Sequence, residues 1–192
     1  MSSHLSTIPR HSLNPRQAET VERLLAAATE ELAEVGHETL TVRTVAHRAG
    51  LSPATAYTYV ASKDHLFAEL FWRLLDAHPG PRLTGRSPTT RLQQTTRHLA
   101  TVISESPAIA AAATKSLLGD DPQVQRLRLH IGAVVVDRFR VALGDQAKPH
   151  VLDTVTLAFF GALLQAGIGG FTYQELVPRL DRVIAVIMEG NG

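Results

Sequence analysis

Apolar residues recur along this chain three and four positions apart, and no segment sustains the alternation of a β-strand. The first stripe lies between the helix-starting segment Asn14-Pro15-Arg16-Gln17 and Gly36, which is expected to stop the helix. Its residues are Val21, Leu24, Leu25, Ala28, Leu32 and Val35. Similar stripes follow to the end of the chain, so the pattern predicts an all-α fold of about nine helices.

Two short helices are predicted between Val42 and Tyr59. The first, Val42 to Ala49, ends at Gly50, where a residue without Cβ can take a positive φ. The second, Pro53 to Tyr59, begins after Ser52, whose hydroxyl can cap it. Because the turn between them is only about three residues long, the helices must cross steeply over small or apolar side chains.

The outward side of these two helices carries cations, hydroxyls and small side chains, with almost no acid. Its residues are Arg43, His47, Arg48, Pro53, Ala54, Thr55, Tyr57, Thr58, Tyr59 and Lys63. Such a surface suits the phosphate backbone that flanks a DNA major groove.

At these positions the sequence resembles the TetR (tetracycline-repressor-like) family of bacterial transcription regulators. The resemblance covers roughly residues 17 to 76 and is carried by Gly50-Leu51-Ser52, Tyr57-Thr58-Tyr59-Val60, Ser62-Lys63-Asp64 and Leu66. The family usually has an aromatic-x-His-Phe run where this chain has Tyr57 to Val60. Tyr59 in place of His keeps a phosphate donor, and Val60 in place of Phe keeps an apolar plug for the core.

The resemblance implies a division into functional segments. We expect a flexible arm over residues 1–14, a helix-turn-helix DNA-binding domain over 15–62, a connecting helix over 63–78 and a ligand-binding and dimerisation domain over 79–192. The Pro- and Gly-rich segment from Pro79 to Pro88 marks the last boundary. The arm is either a disordered tail or a basic segment whose Arg10, His11 and Arg16 reach DNA.

Contacts with DNA are expected from two groups of residues. Base contacts are assigned to Arg43, Pro53, Ala54, Thr55 and Thr58, and phosphate contacts to Thr41, Ser52, Tyr57, Tyr59 and Lys63. The resemblance puts Arg43 at the groove, where a guanidinium can bind guanine with two hydrogen bonds. Small side chains on the second helix allow close approach to thymine methyl groups. A phosphate contact needs only a donor at the rim of the groove.

The helix predicted from Val151 to Gly167 is apolar on nearly every side, so it must be covered all round. The last helix, which begins with the capping box Thr172-x-x-Glu175, also has an apolar stripe. Together they predict a two-fold homodimer, as in the family that this chain resembles. The expected interface residues are Val155, Phe159, Leu163, Leu180, Ile184 and Ile187.

A small-molecule pocket is expected among the C-terminal helices, lined mainly by aliphatic side chains with a few polar anchors. The candidate lining residues are Trp72, Gln94, His98, Arg126, His130 and Gln165, for each of which a surface or core position is the alternative. The helix that Ser62 caps touches DNA at its start and packs along its length. It is therefore the expected lever between pocket and DNA.

Composition removes several classes of function. The 192 residues include no cysteine, which excludes a disulfide framework, a Cys-ligated zinc site and thiol catalysis. The nine histidines include no pair four residues apart, so neither a metal nor a cofactor is expected. No signal peptide or membrane span is apparent, which predicts a cytoplasmic protein. The net charge of +1 by itself says nothing about nucleic acid.

These observations predict a dimeric, non-enzymatic transcription regulator, a repressor that a small-molecule effector releases from a palindromic DNA operator. One alternative is a small all-α ligand carrier or enzyme whose N-terminal helices are only structural. Another is an architectural DNA-binding protein without a ligand. The effector, the operator and the direction of regulation stay open.

Overall fold

The computed structural model describes residues 14–190, which contain nine α-helices and no strand. The helices are α1 (Pro15–Thr39), α2 (Val42–Arg48), α3 (Pro53–Tyr59), α4 (Lys63–Asp76), α5 (Pro88–Glu105), α6 (Pro107–Ser116), α7 (Pro122–Leu143), α8 (Pro149–Gly167) and α9 (Leu176–Glu189). The all-α prediction is confirmed. Except for Asn14, the predicted N-terminal arm lies outside the described residues.

Local signals in the sequence explain most of the helix ends. Asn14 and Gln17 form the expected capping box, with both backbone N–H to side-chain oxygen distances at 2.9 Å. Gly36, with φ of 73°, breaks the helical conformation, but the helix resumes and runs to Thr39. The box of Thr172 and Glu175 is also formed, and it opens a short 3-10 turn directly before α9.

Contacts divide the chain into two compact units, and the first consists of the residues up to Arg73 together with Ala111–His130. Helix α2 packs against both α1 and α3. Leu24, Val45, Ala46, Ala56 and Val60 are fully buried there, so Val60 is part of the core as expected.

Two side-chain hydrogen bonds within the first unit join the start of α4 to the corner between α6 and α7. The Ser62 hydroxyl donates to the Asp121 carboxylate at 2.6 Å, and the Ser116 hydroxyl donates to Asp64 at 2.8 Å. The bond from Ser62 also lowers the pKa of Asp121. Residues 111–130, which the sequence assigns to the C-terminal domain, therefore group with the DNA-binding helices.

The second unit comprises Leu74–Ala110 and Ile131–Gly192. Within it, α9 packs against both α5 and α8. Phe139 and Phe159 meet edge to face with ring centroids 5.4 Å apart. At the surface, Arg97 of α5 forms an ion pair with Asp181 of α9.

Helix α8 is long and apolar enough to cross a membrane by length and composition alone. It supplies buried side chains to the second unit, as the core helix of a globular unit does. The residues that it leaves exposed include Leu157, at 75%, and Ile168, just past its end, is 65% exposed. One side of α8 is therefore covered by its own chain, and the other carries uncovered apolar side chains.

Candidate nucleic-acid interface

The turn between α2 and α3 has the geometry expected of a helix-turn-helix. Gly50 has φ of 65°, and the Leu51 N–H donates to the carbonyl of Ala46 at 2.8 Å. Thr41 and Ser52 cap the two helices, each accepting a backbone N–H at 3.1 Å through its hydroxyl oxygen. Helix α2 ends at Arg48, one residue earlier than predicted, and α3 has the predicted bounds.

Arg23, which belongs to α1, holds this turn through a hydrogen bond that the sequence analysis did not predict. Its Nη2 donates to the carbonyl of Ala49, the residue that caps α2, at 2.6 Å. A Cβ at Gly50 would lie 3.3 Å from the same Nη2. Arg23 and Ala49 are 26 residues apart, so no local pattern signals their pairing.

The sequence places Arg48 on the DNA-facing surface, and the structure corrects this. Its side chain is 28% exposed and turns towards α1, where its guanidinium contacts Glu31 at 2.7 Å, Glu34 through two nitrogens and Glu30 at 3.7 Å. The hydrogen bonds with Glu34 and Glu31 raise the pKa of Arg48, and the bond with Arg48 lowers the pKa of Glu34. This cation is therefore neutralised by acids of α1.

Most of the predicted base-contacting residues lie on the outer surface of the reading unit, α2 with α3. Arg43, Pro53, Ala54 and Thr58 are exposed, while Thr55 is half-buried. Arg43 also lines an open depression of about 540 Å³, together with Thr44, His47, Arg48 and Glu31. The stretch 41–63 contains no Asp or Glu. The outer surface of α3 therefore offers hydroxyl and small apolar groups beside the exposed Arg43 guanidinium.

Among the predicted phosphate contacts, the side chains differ in how free they are. Tyr57 is 48% exposed, and Tyr59 is half-buried. The ammonium of Lys63 donates to the carbonyl of Glu38 at 2.9 Å and lies 5.8 Å from the ring centroid of Phe67. Lys63 is thus a positive charge held at the end of α1.

Comparison with known proteins decides the family. Residues 24–70 match the model described as bacterial regulatory proteins, tetR family. Over 181 residues, the chain is 44% identical to an uncharacterized HTH-type transcriptional regulator of Mycobacterium tuberculosis, covering 93% of this chain and 85% of that protein. The chain belongs to the TetR family of bacterial transcription regulators.

One further relative of this TetR-family regulator and one solved structure with the same fold are informative. The HTH-type transcriptional repressor KstR of Mycolicibacterium smegmatis is 28% identical over 180 residues, covering 90% of this chain and 88% of KstR. The crystal structure of Thermus thermophilus FadR, a TetR family transcriptional repressor in complex with lauroyl-CoA, superimposes with a TM-score of 0.65. FadR is 20% identical, with 88% of this chain and 93% of FadR covered, and shows the same fold.

The six residues that the sequence offers as pocket lining of the regulator fall into both units. In the first unit, the rings of Trp72 and His130 meet edge to face with centroids 4.3 Å apart. Arg126 is exposed and donates to Gln123 at 3.4 Å. Its side chain therefore lies at the surface, which is the alternative that the sequence leaves open for each candidate.

The other three candidate pocket residues lie in the second unit. Gln94 is engaged with Thr84, accepting its backbone N–H at 3.0 Å and donating to its hydroxyl at 2.9 Å. Gln165 is exposed, so it too does not line an interior. His98 is half-buried, and its Nε2 is fully buried without a hydrogen-bond partner.

The predicted dimer interface needs correction at five of its six residues. Five are buried within their own chain: Val155, Phe159, Leu163, Leu180 and Ile184. Ile187 is half-buried. When a helix is apolar on several sides, its sequence does not show which side packs inside its own chain and which side faces a partner. The outward sides of α8 and α9, with the turn after α8, carry other apolar residues, namely Leu157, Ile168, Val183 and Val186.

Proposed function

We propose that this TetR-family regulator is a dimeric repressor that places α3 of each subunit in the major groove of a palindromic operator. The observation that carries the proposal is the acid-free outer surface of the reading unit, where Arg43 of α2 and Thr58 of α3 are exposed and both helices are capped. The relationship to KstR, which is named a repressor, supports repression as the direction of control.

In this proposal Arg43 reads a guanine, while Pro53, Ala54, Thr55 and Thr58 approach the bases closely. Thr58 donates its hydroxyl to the carbonyl of Ala54 at 3.1 Å, so its methyl group is the part available to a thymine. Phosphates are held by the remaining hydroxyls and cations of the rim. These are Thr41, Ser52, Tyr57, Tyr59 and Lys63.

The dimer is assigned to the uncovered sides of α8 and α9. Leu157 is 75% exposed on α8, and Val186 is 69% exposed on α9. Exposed apolar side chains that are grouped on adjacent helices are typical of a protein–protein interface. A two-fold axis would bring the same surface of a second copy onto them and cover both helices at once.

We further propose that a small-molecule effector releases the operator, and that the protein acts in the cytoplasm. FadR, which shares the fold, is seen in complex with lauroyl-CoA. The start of α4 is bonded to Asp121 and Ser116, so a displaced α4 would carry the α6–α7 corner with it. An effector can shift α4 and the α6–α7 corner only if it binds one of their two conformations more tightly than the other.

The experiment is selection of random DNA duplexes by the full-length protein, together with its native mass in solution. We expect a dyad-symmetric motif bound by a dimer. Arg43→Ala should weaken binding by about 1–3 kcal/mol and relax the preference at one position of each half-site. Arg82→Ala, which removes an exposed cation from the loop between α4 and α5, is the matched control and should bind as the wild type does. A protein that enriches no motif would contradict the proposal.

A further inference from the structure

Arg138 of α7 is a cation whose surroundings leave it incompletely satisfied. Its Nη2 donates to the carbonyl of Leu75 at 2.9 Å, at the end of α4. Its Nη1 is buried and has no hydrogen-bond partner. No carboxylate forms an ion pair with it among the residues that the structure describes.

Two other partly buried arginines show how this chain normally treats such a charge. Arg73 contacts Glu69 at 2.9 Å and Glu22 at 2.6 Å, and Arg48 contacts the acids of α1. At Arg138, by contrast, burial lowers the pKa, and the charge of Asp76 offsets only part of that effect. Desolvating a guanidinium is costly unless an anion compensates for it. Arg138 therefore lacks the partner that the other two arginines have.

A second unsatisfied nitrogen lies at the same end of α4. The His98 ring of α5 lies 6.4 Å from the ring of His78, and its Nε2 is buried without a partner. The backbone N–H of His78 donates to the carbonyl of Leu75 at 3.2 Å, and Arg138 donates to that same oxygen. His78 itself is exposed, so this cluster lies next to the protein surface.

We propose that Arg138 and His98 anchor the carboxylate of an aliphatic acid at the end of α4. The inference rests on the proposed ligand-responsive function and names the class of its effector. Two nitrogen donors match the two oxygens of a carboxylate, whereas a phosphate dianion would require more. One helical turn from His98 lies Val102, and one turn from Arg138 lies Val135; both are buried and apolar. The bound acid supplies the charge that Arg138 lacks.

The test measures binding of butanoate, octanoate and decanoate to the full-length protein by calorimetry, with the matching amides as neutral probes. At least one acid should bind, and its amide should bind about tenfold more weakly or worse because a hydrogen bond to a charged group is lost. Arg138→Gln should weaken binding of the acid by a similar factor. Arg140→Gln is the matched control, since Arg140 is exposed on the same helix and paired with Asp137 at 3.0 Å.

His98→Phe keeps an aromatic side chain and removes both ring nitrogens, so it tests the site if Arg138→Gln does not fold. Equal binding of acid and amide would overturn the proposal, as would unchanged acid binding in the folded variants or no binding of any acid. Selection of DNA by the unliganded protein is scored separately. A protein that selects an operator but binds no acid refutes the anchor alone, and one that binds the acid but no DNA refutes the regulator proposal alone.

Discussion

Arg23 of α1 donates a hydrogen bond of 2.6 Å to the carbonyl of Ala49, on which α2 ends. The hydrogen bond therefore joins α1 to the turn that sets the direction of α3. A charged donor at a helix C-terminus also interacts favourably with the helix dipole. The orientation of α3 therefore depends on a residue of α1.

We expect Arg23→Met to lower the free energy of unfolding by about 1–3 kcal/mol, because a carbonyl loses a charged hydrogen-bond donor. Operator affinity should fall as well, because the turn before α3 is less constrained. Urea unfolding and operator titration measure the two effects. Arg82→Met, which removes an exposed cation from the loop between α4 and α5, should change neither the stability nor the affinity appreciably. Unchanged affinity in a folded Arg23→Met protein would contradict a positioning role.

Gly50→Ala should destabilise the protein by about 1–3 kcal/mol, since a residue with a Cβ is strained at positive φ. The new Cβ would also meet Arg23 at 3.3 Å. Gly132→Ala is the control with the opposite expected sign. Gly132 lies within α7, and a Cβ added there would have no neighbouring atom within 4 Å, so alanine should stabilise by about 0.5–1 kcal/mol. Thermal unfolding of the two variants compares them directly.

Stability should fall on mild acidification because of His65. Its Nδ1 accepts the N–H of Ala61 at 3.1 Å, and burial lowers its pKa from the usual 6.5, against the opposing charge of Asp121. The unfolded chain therefore binds a proton before the folded one does. The contribution of neutral His65 to the free energy of unfolding is complete above pH 6.5. It is lost as the pH falls from there through the lower pKa that His65 has in the folded protein.

Asp121 affects stability in a more acidic pH range. Because the pKa of Asp121 is lowered from its usual 3.8, its contribution to the free energy of unfolding is present above pH 3.8 and is lost only as the pH falls below that value. Urea unfolding between about pH 7.5 and 5.5 therefore separates the His65 effect from that of Asp121. His65→Asn places an amide oxygen where Nδ1 accepts and does not titrate, so its stability should change less over this range. An equal decline in both proteins would assign the effect to another group.

Leu157→Asp should convert the dimer to a monomer, because a charge would be buried at the assigned interface. Native mass spectrometry or sedimentation measures this directly. Val141→Asp changes another exposed apolar residue, at 62% exposure on α7, and should leave the dimer intact. Dimers of equal stability in both variants would place the interface elsewhere.

The sequence predicts the helix ends well because their causes are local. Asn14, Gly50, Ser52 and Pro53 act on neighbours within a few residues, and the structure shows each in the expected role. The pairing of Arg23 with Ala49 joins distant parts of the chain and has no such local signal.

Side-chain direction is harder to predict from the sequence. A cation on a short helix can face DNA or a neighbouring helix, and the acids of α1 decide the matter for Arg48. Likewise, the apolar composition of α8 shows that both sides need cover but not which side its own chain covers. Burial within the chain, which depends on tertiary packing, separates Phe159 from Leu157.

The neutralisation of Arg48 has a consequence for the time that this regulator spends on random DNA. Sequence-independent binding comes from cations that release counterions from phosphates, and its strength falls with each cation withdrawn. Of the three Lys and Arg residues in the stretch 41–63, Arg48 is engaged by Glu30, Glu31 and Glu34, so Arg43 and Lys63 remain. We therefore expect this protein to leave non-target sequence quickly, so that bulk chromosomal DNA sequesters few of its molecules. A small number of copies then suffices to occupy a rare site.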